Sequence, residues 1–180
     1  MRLLEGKNVN LRAMEKDDLP LIAEWLNRSE VYGAYNPLLQ VSRADTEKMF
    51  ESPNELKLFM VEKKDGTRVG YVAHFYVIHV DGRFLEIAYS FLPNERGKGY
   101  CTEAATMMVD YLFLSKDVGR IQAETDERNI ASQRVLEKVG FTKEGVLRKL
   151  VFIRGEWRDA YLYSILREEW KEPRIVTRTV

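Results

Sequence analysis

The sequence predicts a mixed α/β or α+β protein, with a mostly antiparallel sheet of six to seven strands and helices on both faces. Three observations carry that reading. Alternating apolar segments at 56–63, 68–80 and 84–92 are separated only by short Gly-containing turns, which makes an antiparallel meander. After residue 93 the order changes to helix, strand, helix, and crossover helices join strands that lie in one sheet. A long closing hairpin over 145–166 then turns at Arg154-Gly155-Glu156.

Taken in order, Val9-Asn-Leu-Arg-Ala-Met14 alternates and reads as the first strand. Asp17 or Asp18 is then expected to cap a helix whose apolar positions Leu19, Leu21, Ile22, Trp25 and Leu26 recur at three-to-four spacing. The stretch from Val31 to Leu38 contains Gly33 and Asn36-Pro37 and reads as an aromatic loop, followed by a short helix over 45–52. Lys64-Asp-Gly-Thr67 and Asp81-Gly-Arg83 are the meander's turns. A helix is expected over about 102–115, a strand over 120–125, and a helix over 130–139 that Asn129 caps and Gly140 ends.

The chain has 180 residues, 28 Lys+Arg against 28 Asp+Glu, 45% apolar residues and one cysteine. Roughly 100–200 residues make one domain, so a single domain is expected, with its core over about 9–170 and a frayed tail at 171–180. A balanced charge removes the simplest argument for nucleic-acid or membrane-surface binding. The longest nearly apolar run, 71–80, is far short of the roughly 20 residues of a membrane helix. The first residues turn polar at once, and Cys101 has no intrachain partner, so a cytoplasmic protein is expected. His74 and His79 are five residues apart on one strand and so face opposite sides, and no metal site is expected.

The sharpest motif is Pro93-Asn-Glu-Arg-Gly-Lys-Gly-Tyr-Cys-Thr-Glu-Ala-Ala105. Gly97 and Gly99 let a backbone approach a bulky anion. The helix start that follows offers free N–H groups, and Arg96 and Lys98 add charge. A sharp strand-to-helix turn with solvated charges would use the same residues. The second constellation is Asn129-Ile-Ala-Ser132 with Val135-Leu-Glu-Lys-Val-Gly-Phe141, which a plain capped helix also explains.

Together, and at this separation, the two motifs resemble the GCN5-related N-acetyltransferase (GNAT) family, and within it the RimJ/RimL type of ribosomal-protein N-terminal acetyltransferase. Arg96-Gly-Lys-Gly-Tyr-Cys-Thr-Glu-Ala104 is similar to that family's coenzyme A loop. The segments Arg120-Ile-Gln-Ala-Glu-Thr125 and Gly145-Val-Leu-Arg148 to Asp159-Ala-Tyr-Leu-Tyr163 are similar to its second half. The resemblance implies a twisted sheet splayed between strands 4 and 5, and acetyl transfer from acetyl-CoA, as co-substrate, to an amine. It further implies pantetheine bonded to the backbone of Phe91 and Leu92, with the pyrophosphate held by Arg96, Gly97, Lys98, Gly99, Tyr100, Cys101 and Thr102. Asn129 would bind the pantetheine arm.

The chemistry needs a base for the ammonium, a donor for the carbonyl oxygen and an acid for the leaving thiolate. Glu86 is the candidate base. It shares a strand face with Ala88 and Ser90, whose small side chains leave room for a substrate. A carboxylate paired with a neighbouring cation is the competing explanation. Many GNAT enzymes carry a tyrosine seven residues after the Asn, where this chain has Leu136; the resemblance instead implies Ser132 as the acid, matching a serine that RimJ/RimL relatives carry there, and a cap bond back to Asn129 is compatible with that role. Because the early aromatic loop covers the substrate in relatives, the resemblance makes Tyr32, Tyr35 and Leu38 candidates for the acceptor pocket, and a polyamine would favour Glu86 joined by Glu24, Glu30 or Asp45. Cys101, near a helix start that favours a thiolate, is read as packing ahead of a covalent route. The acceptor is a protein or peptide α-amine or a small-molecule amine. Leu136 keeps a non-catalytic acetyl-CoA sensor as the alternative, and a nucleotide-binding protein stands third. The protein is expected to be a monomer or a homodimer, with the aromatics of the closing hairpin available for a dimer contact.

Overall fold

Eight strands make one sheet in the computed structural model, which describes residues 4–51, 56–80, 82–171 and 173. They are β1 (Leu4–Glu5), β2 (Val9–Ala13), β3 (Lys57–Lys63), β4 (Arg68–His79), β5 (Gly82–Phe91), β6 (Arg120–Asp126), β7 (Thr142–Ile153) and β8 (Glu156–Leu166). The helices are α1 (Leu19–Asn27), α2 (Ser29–Tyr32), α3 (Arg43–Phe50), α4 (Tyr100–Ser115) and α5 (Ile130–Val139). β1 is the strand beyond the expected six to seven, and two residues are too few to show a period. The spatial order is β1-β2-β3-β4-β5-β6-β8-β7. Every junction is antiparallel except β5–β6, which is parallel because α4 crosses over between them.

The pleat divides the core in two. On one face Leu85, Ile87 and Phe91 pack under α4 and α5, against Ala104, Met108, Leu112 and Leu136. On the other, Met60 meets Ile22, Trp25 and Leu26 of α1 and Val31 of α2. No helix among the described residues is long and apolar enough to cross a membrane. Tyr163 is buried and Tyr161 half-buried, whereas Phe152 and Trp157 of the closing hairpin stand exposed as a ring pair.

Two local expectations are corrected. Asp18 does not cap α1 through its side chain. Its carboxylate is buried and takes a forked pair of bonds from Arg12, the Glu15 amide at 2.9 Å and Arg68 at 3.3 Å, so it caps the 3-10 turn at Lys16–Asp18 that leads into α1 instead of α1 itself. The helix expected over 45–52 starts earlier, at Arg43, with Ser42 accepting from the Asp45 amide, and Ser52 lies outside the described residues. Of the expected tail, only 171 and 173 are described. Ahead of it, Trp170 donates to Asp110 and stacks on Phe113.

His74 is 2% exposed, between Phe59 and Tyr111, and its Nδ1 has no hydrogen-bond partner among the described residues. Burial, helped by Lys116 and Lys57, lowers its pKa from 6.5 to about 4. The unfolded chain therefore takes up this proton first, and stability is lost as pH falls from 6.5 towards 4. Between pH 7 and pH 5 this group is expected to remove about 2 kcal/mol of stability. His74→Phe, which suits the ring cluster, should abolish that share of the acid sensitivity in urea unfolding at the two pH values. An unchanged pH 7 to pH 5 difference would contradict this account of His74.

Candidate active site

The site begins where the sheet comes apart. β5 stays paired with β4 up to Gly70↔Phe91, and β6 stays paired with β8 out to Asp126↔Ala160. Between β5 and β6 only Leu85↔Ile121 and Glu86↔Gln122 are paired. Beyond those two pairs the strands separate, each held by its outer neighbour. The Leu92 amide donates to Val69 O at 2.9 Å. Ladder bonds alternate along an antiparallel strand, so Ser90 and Ala88 also bond towards β4, while the N–H groups of Tyr89 and Phe91 point into the gap. Of the expected pair Phe91 and Leu92, the Leu92 amide is thus taken by β4, and the Phe91 amide faces the gap. The Phe91 carbonyl is already taken by Arg96 Nε at 2.9 Å.

The loop closes one end of the gap. After a 3-10 turn at Pro93–Glu95, Gly97 and Gly99 take φ of 76° and 84°, and a Cβ on either would meet nothing within 4 Å. Gly99 precedes α4 with no side-chain cap, which leaves the amides of Tyr100, Cys101 and Thr102 without intrahelical acceptors. An open, left-handed turn above three free amides fits a pyrophosphate. Lys98 lies beside Glu95 at 2.9 Å, and Glu95 also faces Lys63 at 3.6 Å. The Arg96 guanidinium, expected to add charge to the cradle, instead bonds the carbonyls of Glu30, Val31 and Phe91. Burial pushes the Cys101 thiol up to about 12, so the helix start does not make it a thiolate.

On the α1–α2 face, Glu86, Ala88 and Ser90 line β5 opposite Phe75, Ala73 and Tyr71. The small pair Ala73 and Ala88 leaves Ala88 exposed. Glu86 is half-buried, and Gln122 Nε2 donates to it at 2.8 Å. Burial raises its pKa from 4.5 to about 7; the Gln122 bond opposes the rise and the like charge of Glu124 adds to it. No described cation pairs with it. Tyr32 packs at the edge of the α1–α2 core, and Tyr35 is exposed on the following loop. The other proposed acidic groups are engaged locally: Glu24 and Glu30 with Arg28, and Asp45 at the start of α3.

On the α4–α5 face, Asn129 Oδ1 accepts from the Ser132 amide at 3.2 Å, as a cap should. Ser132 Oγ lies 2.9 Å from the Tyr89 hydroxyl. Leu136 is fully buried in the core. Burial raises the Tyr89 hydroxyl well above the ordinary tyrosine range, so it stays protonated and can donate. Tyr89 was missed in the sequence, where its only signal was one hydroxyl among the inward positions Leu85, Ile87 and Phe91. The structure thus brings Glu86 and Ser132 to the two faces of one gap, with Tyr89 beside Ser132.

The acetyltransferase (GNAT) domain model matches residues 8–142. The chain is 36% identical over 180 residues to a probable N-acetyltransferase, YjcK, of Bacillus subtilis, an alignment covering 93% of this chain and 98% of the relative. It is 28% identical to a spermidine N(1)-acetyltransferase of Escherichia coli, covering 91% of this chain and 88% of that one. A spermidine N-acetyltransferase from Vibrio cholerae, solved in complex with CoA and spermine, superposes with a TM-score of 0.77 at 24% identity, covering 90% of this chain and 97% of that one. The splayed sheet, the glycine loop and these matches agree, and the chain belongs to the GNAT family of N-acetyltransferases.

Proposed function

We propose that the protein transfers acetyl from acetyl-CoA to a primary amine by direct attack within a ternary complex. The observation that carries this reading is Glu86, a carboxylate bonded by Gln122 with no cation partner among the described residues, whose burial raises its pKa to about 7 at the last bonded pair before the β5–β6 gap. A base poised near the working pH takes the proton an ammonium must lose before it can attack. The Tyr89 and Phe91 amides, aimed into the gap, are placed to bond pantetheine and to donate to the developing oxyanion. The loop from Arg96 to Thr102 holds the pyrophosphate through its backbone, and Asn129 borders the pantetheine arm.

Ser132 gives its proton to the departing sulfur, and Tyr89 donates to Ser132 Oγ and steadies it. The second amine proton, lost from nitrogen as the amide forms, returns through water to Ser132 Oγ, and Glu86 releases the first to solvent. The acceptor enters from the α1–α2 face past Ala88, Tyr32 and Tyr35, as a peptide α-amine or a small polyamine. The name of the Escherichia coli relative favours including spermidine. With Glu24, Glu30 and Asp45 engaged, the acidic groups at the end of the β5–β6 pairing are Glu86 and, two residues past its partner Gln122, Glu124.

Acetyl-CoA-dependent thiol release, read with N-terminal peptides, spermidine, aminoglycosides and amino acids, tests this reading. Release that requires one acceptor class is expected. CoA binding by thermal shift with no release from any amine would favour the sensor. Ser132→Ala is expected to lower kcat by roughly a hundredfold, within the usual range for an acid. Tyr89→Phe should lower it by about fivefold to tenfold through one lost hydrogen bond. The double variant should be little worse than Ser132→Ala, because the two act together. Fully multiplicative losses would contradict the pairing.

A further inference from the structure

Arg96 does a job that the coenzyme loop alone does not require. Its Nη2 donates to Val31 O at 2.8 Å and to Glu30 O at 3.1 Å, while Nε donates to Phe91 O at 2.9 Å. Ser90 Oγ donates to the same Val31 carbonyl at 3.1 Å. One side chain thus ties three pieces together: the loop that carries Gly97 and Gly99, the end of the strand that borders the gap, and α2. A guanidinium suits this position because its planar fork can serve several carbonyls at once, and a cation is favoured at a helix C-terminus. α2 is only four residues long, its Val31 side chain is buried, and Tyr32 follows directly. Such a short helix has little stability of its own, so its placement depends on what holds it.

We propose that Arg96 is a positioning residue that fixes α2, and with it Tyr32 on the acceptor side, to the coenzyme loop. Occupation of the loop then orders the acceptor side through the Arg96 carbonyl clasp. Specificity for the acceptor is set partly by a residue whose backbone belongs to the coenzyme cradle. This rests on the coenzyme reading above and goes beyond it.

Hydrogen–deuterium exchange on the full chain, with and without CoA, tests the clasp without needing the acceptor's identity. In the wild type, CoA is expected to slow exchange both at 97–102 and at 29–33. In Arg96→Gln, the protection at 97–102 should persist while that at 29–33 is lost. Ser90→Ala, which removes the second bond to Val31 O, should weaken protection at 29–33 in the same direction and keeps the test open if Arg96→Gln folds poorly. With spermidine and an N-terminally free peptide as probes, Arg96→Gln should raise the amine KM about tenfold with the acetyl-CoA KM within twofold. Arg96→Lys keeps the charge but not the fork and should resemble Arg96→Gln at 29–33. CoA protection at 97–102 but not at 29–33 in the wild type would overturn the clasp alone. So would an Arg96→Gln protein that loses CoA affinity with exchange at 29–33 unchanged, because Arg96 would then be a phosphate ligand. Protection at neither segment would overturn the clasp together with the coenzyme reading.

Discussion

Gly97→Trp and Gly99→Trp are each expected to abolish acetyl-CoA binding, by roughly a hundredfold or more, while the protein remains folded. Both glycines have positive φ and open space where a Cβ would stand. A side chain there therefore meets no protein atom but fills the space above the free amides of Tyr100, Cys101 and Thr102. The left-handed backbone adds strain of about 1–2 kcal/mol, a fraction of a typical domain's stability. Gly66 supplies the control. It has φ of 87° and equally open surroundings, but it sits in the β3–β4 turn. Gly66→Trp should bring comparable strain with no effect on coenzyme affinity. Calorimetric titration with CoA, paired with thermal melts, separates the two effects. Unchanged affinity in folded Gly97→Trp and Gly99→Trp would remove the loop from the coenzyme site.

Glu86→Gln is expected to lower kcat by about a hundredfold at neutral pH, in keeping with loss of a general base, and to leave acetyl-CoA affinity within a few-fold. The wild-type rate should rise with pH through about 7, where burial has placed the Glu86 pKa, and the variant should lack that limb. Stability should move the other way. A carboxyl whose folded pKa is raised from 4.5 to about 7 contributes stability below pH 4.5 and loses it as pH rises through 7. Glu86→Gln removes that cost, so its Tm at pH 8 should equal or exceed the wild-type value. Lower activity with a higher Tm cannot come from unfolding. A pH–rate profile identical to the wild type would exclude Glu86 as the base.

The parts of the fold legible in the sequence are those set by local chemistry. Asn129 and Gly140 bracket α5 at its observed ends, because a cap and a left-handed terminator act within one turn. Asp65-Gly66 marks the β3–β4 turn for the same reason. What the residues alone did not reveal depends on distant partners. Asp18 looked like the cap of α1, but its carboxylate serves the Glu15 amide one turn earlier and pairs with Arg12 and Arg68, which arrive from strands. The splay came from the family resemblance, since it arises only because β5 and β6 are each held by an outer neighbour. Arg96 read only as charge for the cradle because the Glu30 and Val31 carbonyls it also serves lie 66 and 65 residues away in sequence.

The candidate site divides in the same way. Glu86 became a candidate through strand alternation with Ala88 and Ser90, a pattern of period two, and through its match to the acidic position ahead of the coenzyme loop in RimJ-like sequences. Its raised pKa was not legible, because it depends on burial and on Gln122 and Glu124 across the parallel pair. Tyr89 was missed because its hydroxyl gains meaning only from Ser132, 43 residues later on α5. Leu136 pointed to a missing hydroxyl. The Tyr89–Ser132 pair places one on the same face of the sheet.

Under the proposed mechanism the acetyl group moves from sulfur to an amine nitrogen with no stop on the protein. Incubation with isotopically labelled acetyl-CoA and the amine that promotes thiol release, followed by mass spectrometry of acceptor and protein, tests it directly. Label is expected on the acceptor nitrogen in proportion to thiol released, and none on the protein. Label retained on Cys101 as a competent intermediate, or released only as acetate whatever amine is present, would contradict it.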